Sequence, residues 1–357
     1  MVFYIGEMLL LENEILQFLH NPAEFETLAL KIFEFQRERN PVYDRYCESL
    51  GVEADSWKKI PAVPQQAFKR SELRSFPREA DTIEFRTSGT TGEGYGRHFF
   101  PSLELYEAAV QFGWDFFRLP RHPFGLLMQS PDDAPFSSLS RMGGFLAAEQ
   151  RDRFFITKDG VLEIDRLERF IDSVNGPMAL FGTALAFLNL LSTKSPLPPG
   201  SILMETGGFK GSGREIAKEV LYERLSDSFG IPISAIWNEY GMTELSSQFY
   251  SSGIGNSHHG PPWLRFVVIN PETNEEAETG QAGLLKIVDL ANLWSVLAIQ
   301  TQDLAVAQPD GGFILLGRDP KALPRGCSRA MDELIQRSQE PGLSAVASAK
   351  AEVRSQE

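Results

Sequence analysis

The stretch from Ser201 to Glu244 restricts the possible folds more than any other. SILME (201–205) is short and apolar, the pattern of a buried strand, and it runs into the glycine-rich TGGFKGSG. Ser212 and Glu215 stand at capping-box spacing, which predicts a helix start there. Ile216, Val220, Leu221 and Leu225 then recur in helical phase. Gly230-Ile231-Pro232 stops that helix, and ISAIW (233–237) reads as a second strand. Strand, helix and strand in this order form a βαβ unit, so the two strands should be parallel and the crossover right-handed. Both strands end in polar loops, TGG after the first and NEYGMTE (238–244) after the second. In an open α/β sheet, ligands bind beyond those carboxyl ends.

A second loop suits the same crevice. TSGTTG, Thr87 to Gly92, carries hydroxyls on Thr87, Ser88, Thr90 and Thr91 and glycines at Gly89 and Gly92. Glycines let a ligand approach the backbone closely, and consecutive N–H groups with added hydroxyl donors can wrap an anion. A nucleotide phosphate is the ligand this composition suits; a plain Ser/Thr/Gly surface turn is the simpler use of the same residues. No Gly-Lys-Ser/Thr follows at Walker A spacing, so the loop is not of that type. In GEGYGR, Arg97 stands where a dinucleotide fingerprint needs its third glycine. No G-x-S-x-G elbow occurs, which removes support for an α/β serine hydrolase. His258 and His259 are adjacent and would point apart in an extended chain, and no spacing completes a zinc set around them.

The remaining chain frames this centre. Residues 7–39 read as two helices broken near Asn21-Pro22, with Asn21 as cap and Pro22 as a first helical residue. IPAVPQQAF (60–68) has two prolines and should be extended. His98 to Phe100 reads as a short strand. A helix should follow, with Leu105, Ala109, Phe112 and Phe116 along one side. FGLLMQ (124–129) reads as a buried strand, and Ile164, Leu167, Phe170, Ile171 and Val174 mark another helical face. MALF (178–181) is a strand before the helix ALAFLNLL. After Ser251, short apolar runs separated by NPETNEE and PDGG predict a mostly antiparallel β region. The division expected is a helical leader at 1–59, an α/β core at 60–250 and a β-rich part at 251–330. A disordered tail is expected at 338–357, where aromatics are missing.

Net charge is -14, which argues against broad nucleic-acid binding. Two cysteines, Cys47 and Cys327, supply no disulfide framework, so a reducing cytoplasm is the simplest setting. Cys47 lies in the leader with no motif around it and reads as buried and inert. The apolar N-terminus carries Glu7, Glu12 and Glu14 and lacks a basic leading region, unlike a secretion signal. The longest apolar run in the chain, 178–191, is too short and interrupted to span a bilayer.

TSGTTG, then Tyr240-Gly241-Met242-Thr243-Glu244, then Thr301-Gln302-Asp303 and Gly317-Arg318-Asp319 follow one another in the order seen in the adenylate-forming enzymes. The chain resembles that superfamily over roughly residues 60–330. Gln302 replaces the middle glycine of the T-G-D motif, and Asp319 follows Arg318 one position early for the usual hinge. PAVPQQAFK, SGTTGEGYGRH, HHGPPWLRFVVINPET and GRDPKALPRGCS are similar to the acyl-protein synthetase (LuxE-type) family, relatives of phenylacetate–CoA ligase. The segment after Gly317 looks too brief for the lid domain with a catalytic lysine that ordinary members carry.

The resemblance implies an α/β large-domain fold, mostly parallel sheet with flanking helices plus a small β-rich region and no full lid. It implies ATP-dependent conversion of a carboxylic acid, a fatty acid in that family, to acyl-AMP with Mg²⁺. Ser88, Thr90 and Thr91 would meet the phosphates, Thr243 the α-phosphate and Glu244 the metal. Tyr240 and Gly241 would border the adenine, with Gly207 and Gly208 allowing close backbone approach. Asp303 would accept from the ribose hydroxyls, and Arg318 would be a further ribose or phosphate contact. Cys327, inside RGCS, would receive the acyl group and pass it to an acceptor such as an acyl reductase or carrier protein. Each of these residues also has a plainer use: Glu244 at a helix start, Tyr240 as core, Asp303 in a turn, Arg318 in a surface ion pair, Cys327 as a small buried residue. A CoA ligase and a degenerate nucleotide-binding assembly subunit are the other readings compatible with these motifs.

Overall fold

A computed structural model describes residues 2–80, 82–87, 94–121, 123–191, 194–207 and 216–318. The capping pair Ser212 and Glu215, the loop Ser88–Gly92, Gly208, Asp319, Cys327 and the tail lie outside the described residues.

The chain begins with helices α1 (Val2–His20), α2 (Phe25–Arg39) and α3 (Pro41–Leu50). The first break falls where expected, but Pro22 stays outside both helices, and Glu24, the residue before α2, makes no side-chain cap. The Asn-Pro start occurs one helix later. Asn40 accepts a hydrogen bond from the Tyr43 N–H, with Pro41 in the first turn of α3. Segment 60–68 is extended only as far as the short strand β1 (Val63–Pro64); it then turns into helix α4 (Ala67–Arg70).

Strands β2 (Ile83–Arg86) and β3 (Arg97–Phe100) form an antiparallel hairpin around the TSGTTG loop. Helix α5 (Glu104–Phe116) follows, with its buried face turned from the expected one. Leu105, Tyr106, Ala109, Val110 and Trp114 are buried, Phe112 is half-buried, and Phe116 is 52% exposed. The helix docks where Gly113 meets Trp263, so residues 110 and 114 point inward at the expense of 112 and 116.

The central sheet comes next. Its strands are β4 (Phe124–Leu127), β5 (Ala179–Thr183), β6 (Ile202–Thr206), β7 (Ile236–Tyr240) and β8 (Phe249–Ser252), adjacent in that order. The first four are parallel and β8 is antiparallel to β7. Helices α6 (Ser138–Leu146), α7 (Ile164–Ser173), α8 (Ala184–Leu188) and α9 (Lys218–Phe229) connect or flank them. Alternation along β5 and β6 sends Phe181 and Met204 into one core, shared with α5, α6 and the leader helices. Leu180 and Leu203 enter a second core with α7, α8 and α9. Helix α9 buries Leu221, Tyr222, Leu225 and Phe229; Val220, expected on that face, is exposed.

The second sheet orders as β1, β11 (Ala298–Ala307), β10 (Ala282–Asp289) and β9 (Leu264–Ile269), with β12 (Phe313–Arg318) also on β11. Strands β9 to β12 pair antiparallel, while β1 runs parallel to β11. Strand β11 is long enough to pair with β1 at its start and β12 at its end, which carries Thr301 and Asp303 toward the central sheet.

Candidate functional site

The site lies at the carboxyl ends of β6 and β7, where the two sheets and the β2–β3 hairpin come together. Thr206 and Glu239 are register partners on these strands, and the Thr206 hydroxyl donates to a Glu239 carboxylate oxygen. Gly207 then turns the chain with φ 72°, a conformation costly for any residue with a Cβ. Burial pushes the Glu239 carboxyl up to about 7, with neighbouring Glu205 adding to the effect. Glu205, on the opposite face, accepts from Tyr222 at 2.9 Å and from Asn238 at 2.6 Å.

Beyond Glu239 the chain gives Tyr240. Its hydroxyl donates to Asp303 Oδ2 at 2.8 Å, although 63 residues separate the two. Arg318 sits opposite Asp303 in the β11–β12 register, with Nε 3.6 Å from Oδ1. The Tyr240 ring meets Phe249, His258 and Phe313 edge-on or tilted. Tyr240 is thus a half-buried ring in an aromatic setting as well as a hydrogen-bond donor. Thr301 is not a surface group of this site: it is buried, donates to Leu285 O at 2.8 Å and accepts from the Asp303 N–H at 3.1 Å. It orients Asp303.

Gly241 lets the turn pass close to Glu239, whose carboxylate would collide with a Cβ there. Glu244 follows and is 3% exposed. Burial raises its carboxyl to about 7, against the opposing pull of a Gln65 hydrogen bond and the Arg318 charge, while Asp303 adds to the rise. Gln65 is tied by its N–H to Gln300 O at 3.0 Å, and its buried Oε1 has no hydrogen-bond partner among the described residues. A buried carboxylate beside an orphaned amide oxygen is a donor set suited to a hard divalent cation that takes its other ligands from water and phosphate. Among the described residues, no group of three His, Cys, Asp or Glu side chains forms a closed metal cage.

The backbone around Thr243–Ser247 is held by His98, Asn292 and Asp289. His98 Nδ1 lies 2.9 Å from Thr243 O. Asn292 Nδ2 donates to Glu244 O at 2.8 Å, and Asn292 Oδ1 accepts from the Ser246 hydroxyl at 2.7 Å. Asp289 accepts from the Ser246 and Ser247 N–H groups, both at 2.9 Å, and burial moves its carboxyl up to about 6. Ser138, in the first turn of α6, places its hydroxyl 3.5 Å from that of Thr243. Behind them Gln36 of α2 donates to Asn292 O and Leu293 O and accepts from Leu297 N–H. None of His98, Gln65, Asp289, Asn292 and Gln36 stands out in the sequence. The one signal for His98 is a lone histidine inside the apolar strand RHFF.

Of the sequence-derived candidates, Tyr240, Gly241, Thr243, Glu244, Asp303 and Arg318 come together, with Gly207 one strand away. Thr87 stands at the neck of its loop: its N–H donates to Gly96 O at 2.9 Å and its Oγ1 accepts from Gly96 N–H at 2.8 Å. It closes the loop and spends its hydroxyl there. His258 is stacked on Phe313 and its Nε2 lies 2.6 Å from Asn238 Oδ1, while His259 faces Asp310. The two histidines therefore serve different partners. Cys47 is buried in the leader, its thiol raised to about 12 mainly by burial, which disfavours the reactive thiolate.

No protein-family model matches the chain. It is 21% identical over 343 residues to the long-chain-fatty-acid–luciferin-component ligase of Aliivibrio fischeri, covering 88% of this chain and 89% of that protein. The protein of the same name from Vibrio harveyi is 20% identical, covering 78% of each. An open-conformation 2-hydroxyisobutyryl-CoA ligase, solved with 2-HIB-AMP and CoA, superposes with a TM-score of 0.59 at 16% identity, covering 83% of this chain and 74% of that one. ATP-bound MatB from Rhodopseudomonas palustris superposes at 0.50 with 18% identity and 66% of this chain, which spans about half of that structure's length at 47%.

Proposed function

Because the chain has the fold of the adenylate-forming enzymes and resembles the luciferin-component ligases along most of its length, we propose that it activates a carboxylic acid with ATP. The acid is a long-chain fatty acid by the relatives' name, and the acyl group passes to Cys327 and then to an acceptor protein. One observation carries the reading. Tyr240, Glu244, Asp303 and Arg318, drawn from three separated segments, come together at the carboxyl end of the parallel sheet.

The chemistry follows from the groups present. A carboxylate oxygen of the acid attacks the α-phosphorus of ATP, and the bond to the pyrophosphate oxygen breaks. Asp303 accepts from a ribose hydroxyl with the capacity left after Tyr240, and the Tyr240 ring gives the adenine an apolar face. Thr243 donates to the α-phosphate, while Ser88, Thr90 and Thr91 hold the phosphates beyond it. Glu244 and Gln65 would hold Mg²⁺, which supplies charge neutralisation on the polyphosphate. Arg318 adds fixed positive charge beside the ribose. The Cys327 thiolate then attacks the acyl carbonyl carbon, the C–O bond to AMP breaks, and AMP leaves. Lys321, Arg325 and Arg329 surround that cysteine in sequence and favour its thiolate. Such chemistry draws on cytoplasmic ATP, and among the described residues no helix is long and apolar enough to cross a membrane.

The test is acyl transfer. With ATP, Mg²⁺ and labelled fatty acid the protein should acquire label that hydroxylamine releases, and Cys327→Ser should abolish it while leaving adenylate formation intact. Persisting hydroxylamine-labile label in Cys327→Ser would overturn the self-acylation step. Product formation supported by free CoA would replace it with a CoA-ligase reaction.

A further inference from the structure

His98 is fully buried at the centre of the molecule, and none of the chemistry above uses it. It lies in β3, two residues past Gly96, the partner of Thr87 at the loop neck. Its ring packs on Phe100 with centroids 4.1 Å apart and meets Phe68 edge-on at 5.7 Å. Its two nitrogens reach two other parts of the chain. Nδ1 is 2.9 Å from Thr243 O, 145 residues away, and Nε2 is 3.0 Å from Ser295 Oγ, 197 residues away. Ser295 is itself buried, and its carbonyl accepts from Ser75 Oγ at 2.8 Å.

The partners settle the proton's place. A carbonyl oxygen only accepts, so Nδ1 carries the hydrogen and donates to Thr243 O. Nε2 is then the acceptor, and the Ser295 hydroxyl donates to it. Burial also lowers the imidazolium pKa to about 4, so the ring is neutral near pH 7 and holds this single tautomer.

We infer that His98 is a positioning residue that ties strand β3 to the turn carrying Thr243 and Glu244. This inference rests on the proposed adenylation site. The ring is rigid, packed on both sides and bonded at both ends, so β3 and the carbonyl just before Glu244 move as one body. The turn can still hold its share of a nucleotide without the link. What the link adds is a fixed placement of the Thr243 and Glu244 groups on the β2–β3 hairpin, and alignment acts on the chemical step more than on binding. Loss of the link therefore lowers kcat and leaves the KM for ATP nearly unchanged.

The experiment compares His98→Asn with His98→Ala. Asparagine can present an N–H where Nδ1 stands and keep the bond to Thr243 O; alanine cannot. Both lose ring packing, so thermal stability should fall in both. In carboxylate-dependent ATP–pyrophosphate exchange, His98→Ala should lose at least about 100-fold in kcat, and His98→Asn should recover about 10-fold of that, each with KM for ATP within about threefold of wild type. Equal kcat in the two variants, or a defect confined to KM, overturns the inference. Amide hydrogen exchange in 240–247 reads the same link without any catalysis. It should speed up in His98→Ala and stay closer to wild type in His98→Asn, and equal exchange in both overturns the inference as well. Wild-type protein inactive with every acid would instead sink the adenylation reading, while the hydrogen-exchange comparison still decides whether His98 holds Thr243.

Discussion

Asp303 is shared between a tyrosine hydroxyl and a guanidinium, so its carboxylate is already fixed in direction for the ribose contact proposed above. Asp303→Ala should weaken ATP binding by about 1.5–3 kcal/mol, the scale of a hydrogen bond to a charged group. Calorimetry on folded protein checks this, and unchanged affinity would return Asp303 to a purely structural bond with Tyr240. At this scale the sequence was legible where a motif is local. Tyr240, Thr243 and Glu244 are near neighbours in the chain, and their order with Asp303 and Arg318 was readable. Thr87 was readable as part of a loop but not as the residue that closes it. His98, Gln65, Asp289 and Asn292 were not readable, because each acts on a carbonyl, amide or carboxylate brought to it only by the tertiary fold. Nothing in the spacing of His98 and Thr243 signals a bond across 145 residues.

Among the elements, α1 and α2 join the same core as β11, with Leu11, Phe33 and Ile299 in one buried cluster. Gln36 extends α2 into the segment 292–297 through three hydrogen bonds to backbone groups. Gln36→Leu leaves those buried groups unpartnered and should destabilise the protein by about 2–4 kcal/mol in urea unfolding. A loss under about 0.5 kcal/mol would mean that the leader contributes little to holding the site. On α1, Glu12 is buried, its Oε1 has no partner among the described residues, and its carboxyl is raised to about 7 by burial and by Glu104 on α5. A carboxyl raised on folding favours the folded state below its unfolded pKa, and that stability is lost as pH rises through about 7. Glu12→Gln should therefore match wild type near pH 4.5 and gain about 1–2 kcal/mol by pH 8, a few degrees in Tm. An equal gain at both pH values would contradict the assignment. The sequence marked the first βαβ strand well because a short apolar run between turn residues has few alternatives, but it set the second too early: Ile233–Ala235 form a 3-10 turn and the strand runs from Ile236 through Tyr240, taking Asn238 and Glu239 out of the expected loop. It misjudged the inward side of α5, since Phe116 looks like core until docking through Gly113 turns it outward and leaves Phe112 at the core's edge.

Over the whole molecule, two sheets and a hairpin meet at the carboxyl ends of parallel strands, and the groups gathered there are the ones the proposed adenylation uses. The α/β class was legible from one strand–helix–strand unit, and the antiparallel strands after Ser251 from their turns. The joining of the sheets through β1, β11 and the buried polar groups was not, since it depends on contacts between distant segments. Magnesium-dependent ATP–pyrophosphate exchange, stimulated by a long-chain fatty acid, tests the central claim most directly. Wild-type protein should catalyse it, and Glu244→Gln, with the fold intact, should lower it by about 2–4 kcal/mol of transition-state stabilisation. Absence of exchange with every acid in a broad panel, from folded protein that binds ATP, would contradict acyl-adenylate formation and leave a nucleotide-binding protein without this reaction.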